Sequence, residues 1–353
     1  MPGKANILAG DVGATKTLLA FFALHKGRLE MVAAETFPSS AYPNLEAILE
    51  KFLRHHPFSV RRACFGVAGP VSEGRVVLPN LAWENGVDVR ALRRPLKTDR
   101  VALLNDVEAT AYGLRRLAPE QFVVLNPGRP RLQANAALIV AGTGLGEAIL
   151  FWDGREHRPS ASEGSHCDFA PRTALELEFF RYAVDKFGRL SYDRVVSGQG
   201  LHLLYRFLRD TGKEAEPAWL AEKLKTDDPG AVISEAALTQ RVPLCRKSLD
   251  MFVNIYGAEA GNLALKALAR AGVYVGGGIA PKILPRLRDG NFMRAFTDKG
   301  RLSEVMTEIP VRIVLEPKAA LYGAADYAAR LGGRKVGAAK MRRTGGKRRS
   351  HED

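Results

Sequence analysis

One pattern occurs twice in this chain and constrains its fold more than any other feature. An apolar segment leads into a polar turn rich in glycine, and a second apolar segment follows. The first copy spans residues 6–22, NILAGDVGATKTLLAFF, and the second spans residues 136–151, AALIVAGTGLGEAILF. The apolar segments predict strands and the glycines predict tight turns between them. Two such units suggest an internal duplication whose halves bind one nucleotide from two sides.

The first turn carries the groups that a phosphate cradle needs, in the order Gly10, Asp11, Val12, Gly13, Ala14 and Thr15. Glycines let backbone N–H groups approach phosphate oxygens, and Asp11 can hold the hydration shell of Mg²⁺. The pattern is not a P-loop, because no Gly-Lys-Ser/Thr opens a helix here. Taken alone, the turn favours an ordinary β-hairpin. The second copy, with Gly142, Thr143 and Gly144, shifts the interpretation toward a phosphate site.

A buried strand over residues 101–105 is predicted to end at Asn105 and Asp106, where a helix rich in small residues follows. Ligands of α/β proteins bind at the carboxyl ends of strands. Asp106 therefore has two interpretations, a helix-capping carboxylate or a general base for a substrate hydroxyl. Capping is favoured when the residue is considered alone, and a cleft shared with two phosphate loops favours the base.

Three further groups of residues suggest ligand contacts. Glu163 and His166 flank a glycine turn and can hydrogen-bond adjacent hydroxyls of one polyol. Asn80 and Trp83 either line a sugar cleft or close a loop onto the core, and the sequence leaves both open. The triple glycine Gly276, Gly277 and Gly278 follows a strand and precedes a predicted helix. It either packs against a flat ligand such as adenine or forms a plain strand-to-helix turn.

Length and composition indicate a globular protein with two domains. The chain has 353 residues, of which 46% are hydrophobic and 25% charged. Its three cysteines are far apart and form no CxxC pair, which argues against a disulfide framework or a cysteine-based metal site. We therefore expect a reducing, cytoplasmic location. No signal peptide and no run of about 18 apolar residues is seen, so we predict no membrane span.

The formal net charge of +14 is partly concentrated at the C-terminus. Residues 332–353 contain eight Lys/Arg and two Asp/Glu and are rich in glycine. This composition predicts a disordered tail. A nucleic-acid arm and a solvated extension both fit it, and we favour the extension, so no specific nucleic-acid partner is expected.

The motifs GDVGAT, LLND, AGTGLG, EGSH, RVVSGQGL and GGGIAPK occur in this order. Together they resemble the bacterial ATP-dependent glucokinases of the hexokinase-like, actin-like ATPase fold, over roughly residues 6–330. The resemblance implies an α/β protein with a ligand cleft between two domains. We expect a small domain at 1–115, completed by 316–331, and a large domain at 116–315. The chain lacks the cysteine-rich zinc motif of the related repressor-and-kinase sugar family and an N-terminal helix-turn-helix, which favours the non-zinc glucokinase branch.

The resemblance also implies roles for individual residues, which we state as expectations. ATP is the co-substrate with Mg²⁺, and the family suggests a homodimer. For the nucleotide, the resemblance implies a first phosphate loop at 10–15 with Asp11 near Mg²⁺, a second phosphate loop at 142–146, and adenosine lying against 276–278. For the sugar, it implies that Asn105 binds hydroxyl groups, that Asp106 is the catalytic base, and that Glu163 and His166 bind near the anomeric end.

Two residues depart from the family pattern. Asp193 stands where the family usually has Glu, one methylene longer, which bears on the reach of a sugar contact. Ala14 replaces the second glycine of the first loop. Because alanine disfavours positive φ, we predict that Ala14 adopts an ordinary backbone conformation.

The function expected from these observations is transfer of the γ-phosphoryl group of ATP to the 6-hydroxyl of glucose, giving glucose 6-phosphate and ADP. Two alternatives remain. In the first, the phosphoryl acceptor is another hexose, such as mannose, fructose or an N-acetylated amino sugar. In the second, the protein is a non-catalytic, sugar-responsive regulator on the same fold. The intact Asp106 and both glycine loops argue against the regulator, and the basic tail is its only support.

Overall fold

A computed structural model of the chain describes residues 6–78 and 81–332. The strands in these residues are β1 (Ile7–Val12), β2 (Lys16–His25), β3 (Arg28–Pro38), β4 (Arg62–Val67), β5 (Arg75–Val76), β6 (Val87–Asp88), β7 (Val101–Asn105), β8 (Phe122–Asn126), β9 (Ala136–Ala141), β10 (Leu145–Trp152), β11 (His157–Ser162), β12 (Gly272–Gly276) and β13 (Val311–Val314). The helices are α1 (Leu45–His55), α2 (Val89–Leu96), α3 (Asp106–Gly113), α4 (Ala174–Phe187), α5 (Tyr192–Val195), α6 (Gly198–Asp210), α7 (Ala218–Thr226), α8 (Pro229–Glu235), α9 (Pro243–Ala267), α10 (Leu284–Leu287), α11 (Asn291–Thr297), α12 (Ser303–Thr307) and α13 (Ala319–Arg330).

Two mixed sheets share one strand order, which agrees with the duplication predicted from the sequence. The first sheet runs β3-β2-β1-β4-β7, and the second runs β11-β10-β9-β12-β13 with β8 added at its edge. In each sheet an antiparallel hairpin is followed by parallel strands, β1-β4-β7 in the first and β9-β12-β13 in the second. Both glycine turns are therefore hairpin turns beside parallel strands whose carboxyl ends share an edge.

Helix α3 lies between the two sheets and carries the predicted base at its first position. Its apolar residues pack against strands of the second sheet, in a cluster that includes Val107, Ala111, Leu138 and Ala148. The same helix crosses α13, which packs on the first sheet. The sequence predicted that residues 316–331, which include α13, complete the small domain and that residues 116–315 form the large one. That domain boundary stays a prediction.

Glycine permits the close crossing of α3 and α13. A Cβ at Gly113 would collide with the Ala319 carbonyl oxygen, and one at Gly323 would collide with the Ala109 carbonyl oxygen. Ion pairs also stabilise the crossing, because Arg115 and Arg116 bind the fully buried carboxylate of Asp326. Helix α13 is thereby fixed to the helix that begins at Asp106.

The strands predicted on both sides of the two glycine turns and over residues 101–105 are present, and one predicted element differs. The helix expected directly after the triple glycine begins only at Leu284, after a series of turns. Within residues 6–78 and 81–332 no helix is both long and apolar enough to cross a membrane. The basic tail, apart from Gly332, lies outside the described residues.

Candidate active site

Asp106 is the first residue of α3 and directly follows β7, as the sequence predicted. The helix cap itself is Asn105, whose Oδ1 accepts from the backbone N–H groups of Val107 at 2.9 Å and Glu108 at 3.3 Å. The Asn105 amide also donates to the Gly69 carbonyl at 3.2 Å. Asp106 Oδ1 accepts from Val107 N–H at 2.9 Å. Capping is thus done by Asn105, and the Asp106 carboxylate is oriented by the helix backbone.

The surroundings of Asp106 suit a general base. Burial raises the pKa of this carboxyl group to about 6, and the Val107 N–H opposes that rise. The charges of Asp11 and Glu163 add to the increase in pKa. Asp106 therefore lies within electrostatic range of the carboxylates in β1 and in the turn after β11. A base with a pKa just below neutral is ionised at pH 7 and still accepts a proton readily.

The first glycine turn is anchored to the segment after β3. Gly13 N–H donates to the Lys16 carbonyl at 3.0 Å, which closes the hairpin. The Ser39 hydroxyl donates to the Gly13 carbonyl at 2.7 Å, and Ser39 N–H donates to the Thr15 carbonyl at 3.1 Å. Ala14 is absent from the non-glycine residues with positive φ in the described part of the chain, so its predicted ordinary conformation is confirmed.

The residues before this turn lie within the sheet. Gly10 and Val12 are buried in β1, and a Cβ at Gly10 would collide with the Phe65 ring. The need for glycine at position 10 therefore comes from packing. Asp11 lies between them, and burial raises its pKa while Lys16 opposes the rise.

The second glycine turn and the triple glycine lie side by side. Strands β9 and β12 are parallel neighbours with Gly276 opposite Val140, so both turns leave the same edge of the sheet. Gly277 has a φ of 90°, and a Cβ there would collide with the carbonyl oxygen of Ala141, the last residue of β9. Nothing lies within 4 Å of a Cβ at Gly142 or at Gly278, so these two glycines face open space.

Asp193 is tied to the second glycine turn. Its Oδ1 accepts from Leu145 N–H at 2.8 Å, and a Cβ at Gly144 would lie 2.6 Å from the same oxygen. Asp193 was expected to contact the sugar. Its Oδ1 holds the backbone of the loop that was predicted to bind phosphate, and the sugar contact stays a prediction.

The predicted polyol-binding pair lies at a short turn after β11. Glu163 Oε2 and His166 Nε2 are 3.8 Å apart, and both side chains are more than half exposed. Between them the chain forms one 3₁₀ turn, Gly164–His166, with Ser165 buried. The two polar side chains are therefore held together on the surface and are free to meet a ligand.

The predictions for Asn80 and Trp83 have different outcomes. Asn80 lies outside the described residues. Trp83 is buried and its indole N–H donates to the Tyr42 carbonyl at 2.8 Å. Of the two interpretations of Trp83, the structure therefore supports closure of a loop onto the core.

The sequence reasoning missed one group near the site. Glu147 is almost fully buried in β10, on the face of the second sheet that Leu145 and Ile149 share. The alternation of residues along the predicted strand would have placed this carboxyl group in the core, since positions two apart share a face.

The fold and site define a class. The two sheets of common strand order, the glycine turns at adjacent strand ends and the carboxylate at the start of α3 are those of a two-domain sugar kinase with the actin-like ATPase fold. The glucokinase family model matches residues 8–331. The chain belongs to the glucokinase family.

Individual relatives agree with this membership. The chain is 40% identical to the glucokinase of Trichormus variabilis over 341 residues, covering 92% of this chain and 99% of the relative. It is 41% identical to that of Synechocystis, covering 92% and 98% of the two chains. The crystal structure of a glucokinase from an Antarctic psychrotroph superposes with a TM-score of 0.80 at 29% identity, covering 92% and 98%.

Proposed function

We propose that this protein is an ATP-dependent glucokinase, which transfers the γ-phosphoryl group of ATP to the 6-hydroxyl of glucose. The observation that carries the proposal is the position of Asp106. Its carboxylate stands at a strand end, within electrostatic reach of Asp11 in the first glycine unit and of Glu163 in the polyol-binding turn. Family membership supports the same activity.

The proposed step needs one base and two bound substrates. The sugar hydroxyl oxygen attacks the γ-phosphorus, and its proton passes to the Asp106 carboxylate. The bond between the γ-phosphorus and the oxygen bridging to the β-phosphate breaks, and the electron pair leaves with ADP. The two glycine turns position the phosphates through backbone N–H groups, so catalysis rests on placement and charge stabilisation.

The residues present fit a magnesium ion that arrives with the nucleotide. Asp11 is a partly buried carboxylate whose pKa is raised by burial and whose ionised form a nearby cation would favour. Within the described residues, no group of three or more His, Cys, Asp or Glu side chains forms a metal site of its own. Phosphate oxygens and water would therefore complete the coordination, and Asp11 would act through water. Bound Mg²⁺ would neutralise phosphate charge.

Sugar-dependent release of ADP from Mg-ATP tests this proposal. Glucose, mannose, fructose, galactose and N-acetylglucosamine are compared at equal concentration, with a no-sugar blank. We expect strong turnover with glucose and little above the blank with galactose. Folded protein that binds ATP and turns over none of these sugars would contradict the proposal and favour the regulatory alternative.

A kinase for another hexose is the second candidate, and Asp193 is the observation that favours it. One oxygen of its short side chain is occupied by Leu145 N–H, so this residue reaches less far toward a sugar than the glutamate usual in the family. Turnover with mannose, fructose or N-acetylglucosamine in place of glucose would keep the chemistry and change the acceptor.

We also propose a homodimer in the cytoplasm. The dimer rests on the family resemblance alone, and light scattering coupled to gel filtration measures it. The location rests on the free thiols Cys64, Cys167 and Cys245, of which Cys64 and Cys245 are buried.

A further inference from the structure

Glu147 is a carboxyl group in an apolar position. It lies between Leu145 and Ile149 on the face of β10 that packs into the large hydrophobic core. It is 1% exposed, and its Oε1 has no hydrogen-bond donor in the described structure. A buried carboxylate without donors is costly, so such a group keeps its proton.

A second buried carboxyl group faces it from α9. Glu259 is fully buried and accepts from the Asn262 amide at 2.8 Å and from the Lys266 ammonium at 3.4 Å. The charge of Glu259 adds to the rise in the pKa of Glu147 that burial causes. Both effects favour the neutral, protonated form of Glu147.

The same carboxyl group supports the polyol-binding turn. A Cβ at Gly164 would lie 2.7 Å from Glu147 Oε2, so the backbone between Glu163 and His166 rests directly on the Glu147 side chain. Gly164 N–H is meanwhile held by the Ser162 hydroxyl at 2.9 Å. The position of Glu163 and His166 therefore depends on where the Glu147 carboxyl group lies.

We propose that Glu147 is a positioning residue for sugar binding, which stays protonated in the core and supports the backbone of the Glu163–His166 turn. The inference rests on the proposed function and extends it to the control of sugar affinity. Loss of the proton would leave a buried anion with an unpartnered oxygen directly beneath Gly164, and relief of that cost would displace the turn. Glucose affinity, rather than the chemical step, is the quantity that depends on this proton.

The groups around the pair indicate where the proton is lost. Burial raises the pKa of Glu147 to about 8, Glu259 adds to the rise, and Lys266 opposes it. Other titratable groups near the pair are Tyr256 beside Glu147, and Tyr192 and Lys299 beside Glu259. Burial raises the pKa of both tyrosines, so they stay neutral where Glu147 ionises.

Glucose binding without nucleotide, measured by calorimetry between pH 7 and 9.5, tests the inference. If only the protein with protonated Glu147 binds glucose well, the Kd of the unmodified protein for glucose rises about tenfold from pH 7 to pH 9. Glu147→Gln keeps the size and the donor but cannot ionise. We expect it to bind glucose as the unmodified protein does at pH 7 and to lose the pH dependence. A flat profile in the unmodified protein, or an unchanged slope in Glu147→Gln, would overturn the inference.

Gly164→Ala tests the contact from its other side, without changing any charge. Its Cβ would press on Glu147 Oε2, and we expect a higher Kd for glucose at every pH with the KM for ATP unchanged. Glu178 on α4 is half exposed and pairs with Lys213, so Glu178→Gln is the control and should match the unmodified protein. Normal glucose affinity in a folded Gly164→Ala variant would contradict the inference. Absence of turnover at pH 7 would instead count against the proposed function, so the two failures are distinct.

Discussion

The neighbouring glycines Gly277 and Gly278 give a matched test of the nucleotide site. Alanine at 277 would place a Cβ against the Ala141 carbonyl and 2.8 Å from its carbon, at a φ of 90°. The backbone of Ala141 is held in β9 and cannot swing away. Alanine at 278 meets nothing within 4 Å. One variant therefore perturbs the protein and the other intrudes only on the space proposed for adenosine.

The expected magnitudes follow from these contacts. Left-handed backbone costs alanine roughly 1–2 kcal/mol, and overpacking costs roughly 1–3 kcal/mol, so Gly277→Ala should lose about 2–5 kcal/mol of unfolding free energy. Gly278→Ala should change it by less than about 0.5 kcal/mol. A methyl group in a ligand pocket is worth about tenfold or more in discrimination. We therefore expect Gly278→Ala to raise the KM for ATP by at least about tenfold.

Urea unfolding gives the free energies, and coupled ADP release gives the KM for ATP and for glucose separately. The KM for glucose should stay unchanged in Gly278→Ala. A normal KM for ATP in that variant would refute the assignment of adenosine to this turn. Full stability of Gly277→Ala would refute the steric reasoning.

Three further predictions concern the free energy of unfolding and the C-terminal tail. Asp326→Ala should cost about 3–5 kcal/mol in urea unfolding, because it removes the buried partner of Arg115, Arg116 and Arg330, whereas Glu222→Ala on the surface should change nothing. Asp193→Ala should lose about 1–3 kcal/mol by leaving Leu145 N–H without an acceptor, and Asp193→Asn should retain that stability; equal losses would show that the hydrogen bond is unimportant. Deleting residues 332–353 should leave turnover and nucleic-acid binding unchanged, and a change in either would give the tail a role.

The sequence predicted the parts of the site that depend on local backbone chemistry. Glycine turns between apolar strands, and a carboxylate between a strand and a helix, are readable because each signal lies within one short segment. The same reasoning placed Asp106 at the start of α3 and gave Ala14 its ordinary φ.

The parts that were missed depend on contacts between distant segments. Asp193 meets Leu145 only because α5 packs beside the second glycine turn. Trp83 is oriented by the Tyr42 carbonyl, which no local pattern identifies. Glu259, whose charge adds to the rise in the pKa of Glu147, lies on α9, far along the chain. Tertiary contacts of this kind cannot be derived from spacing.

The pH dependence of kcat/KM for glucose tests the central claim, that Asp106 is the base, most directly. Its pKa of about 6 is above the ordinary value of 3.8, and the ionised form is the active one. On its acidic side, activity should therefore be nearly full at pH 7 and fall about tenfold per pH unit below pH 6. Asp106→Asn should lose about 10²–10⁴ in rate together with this acidic limb, while Glu108→Gln on the same helix should keep it. Near-normal turnover in a folded Asp106→Asn protein, or an acidic limb that survives the substitution, would contradict the account.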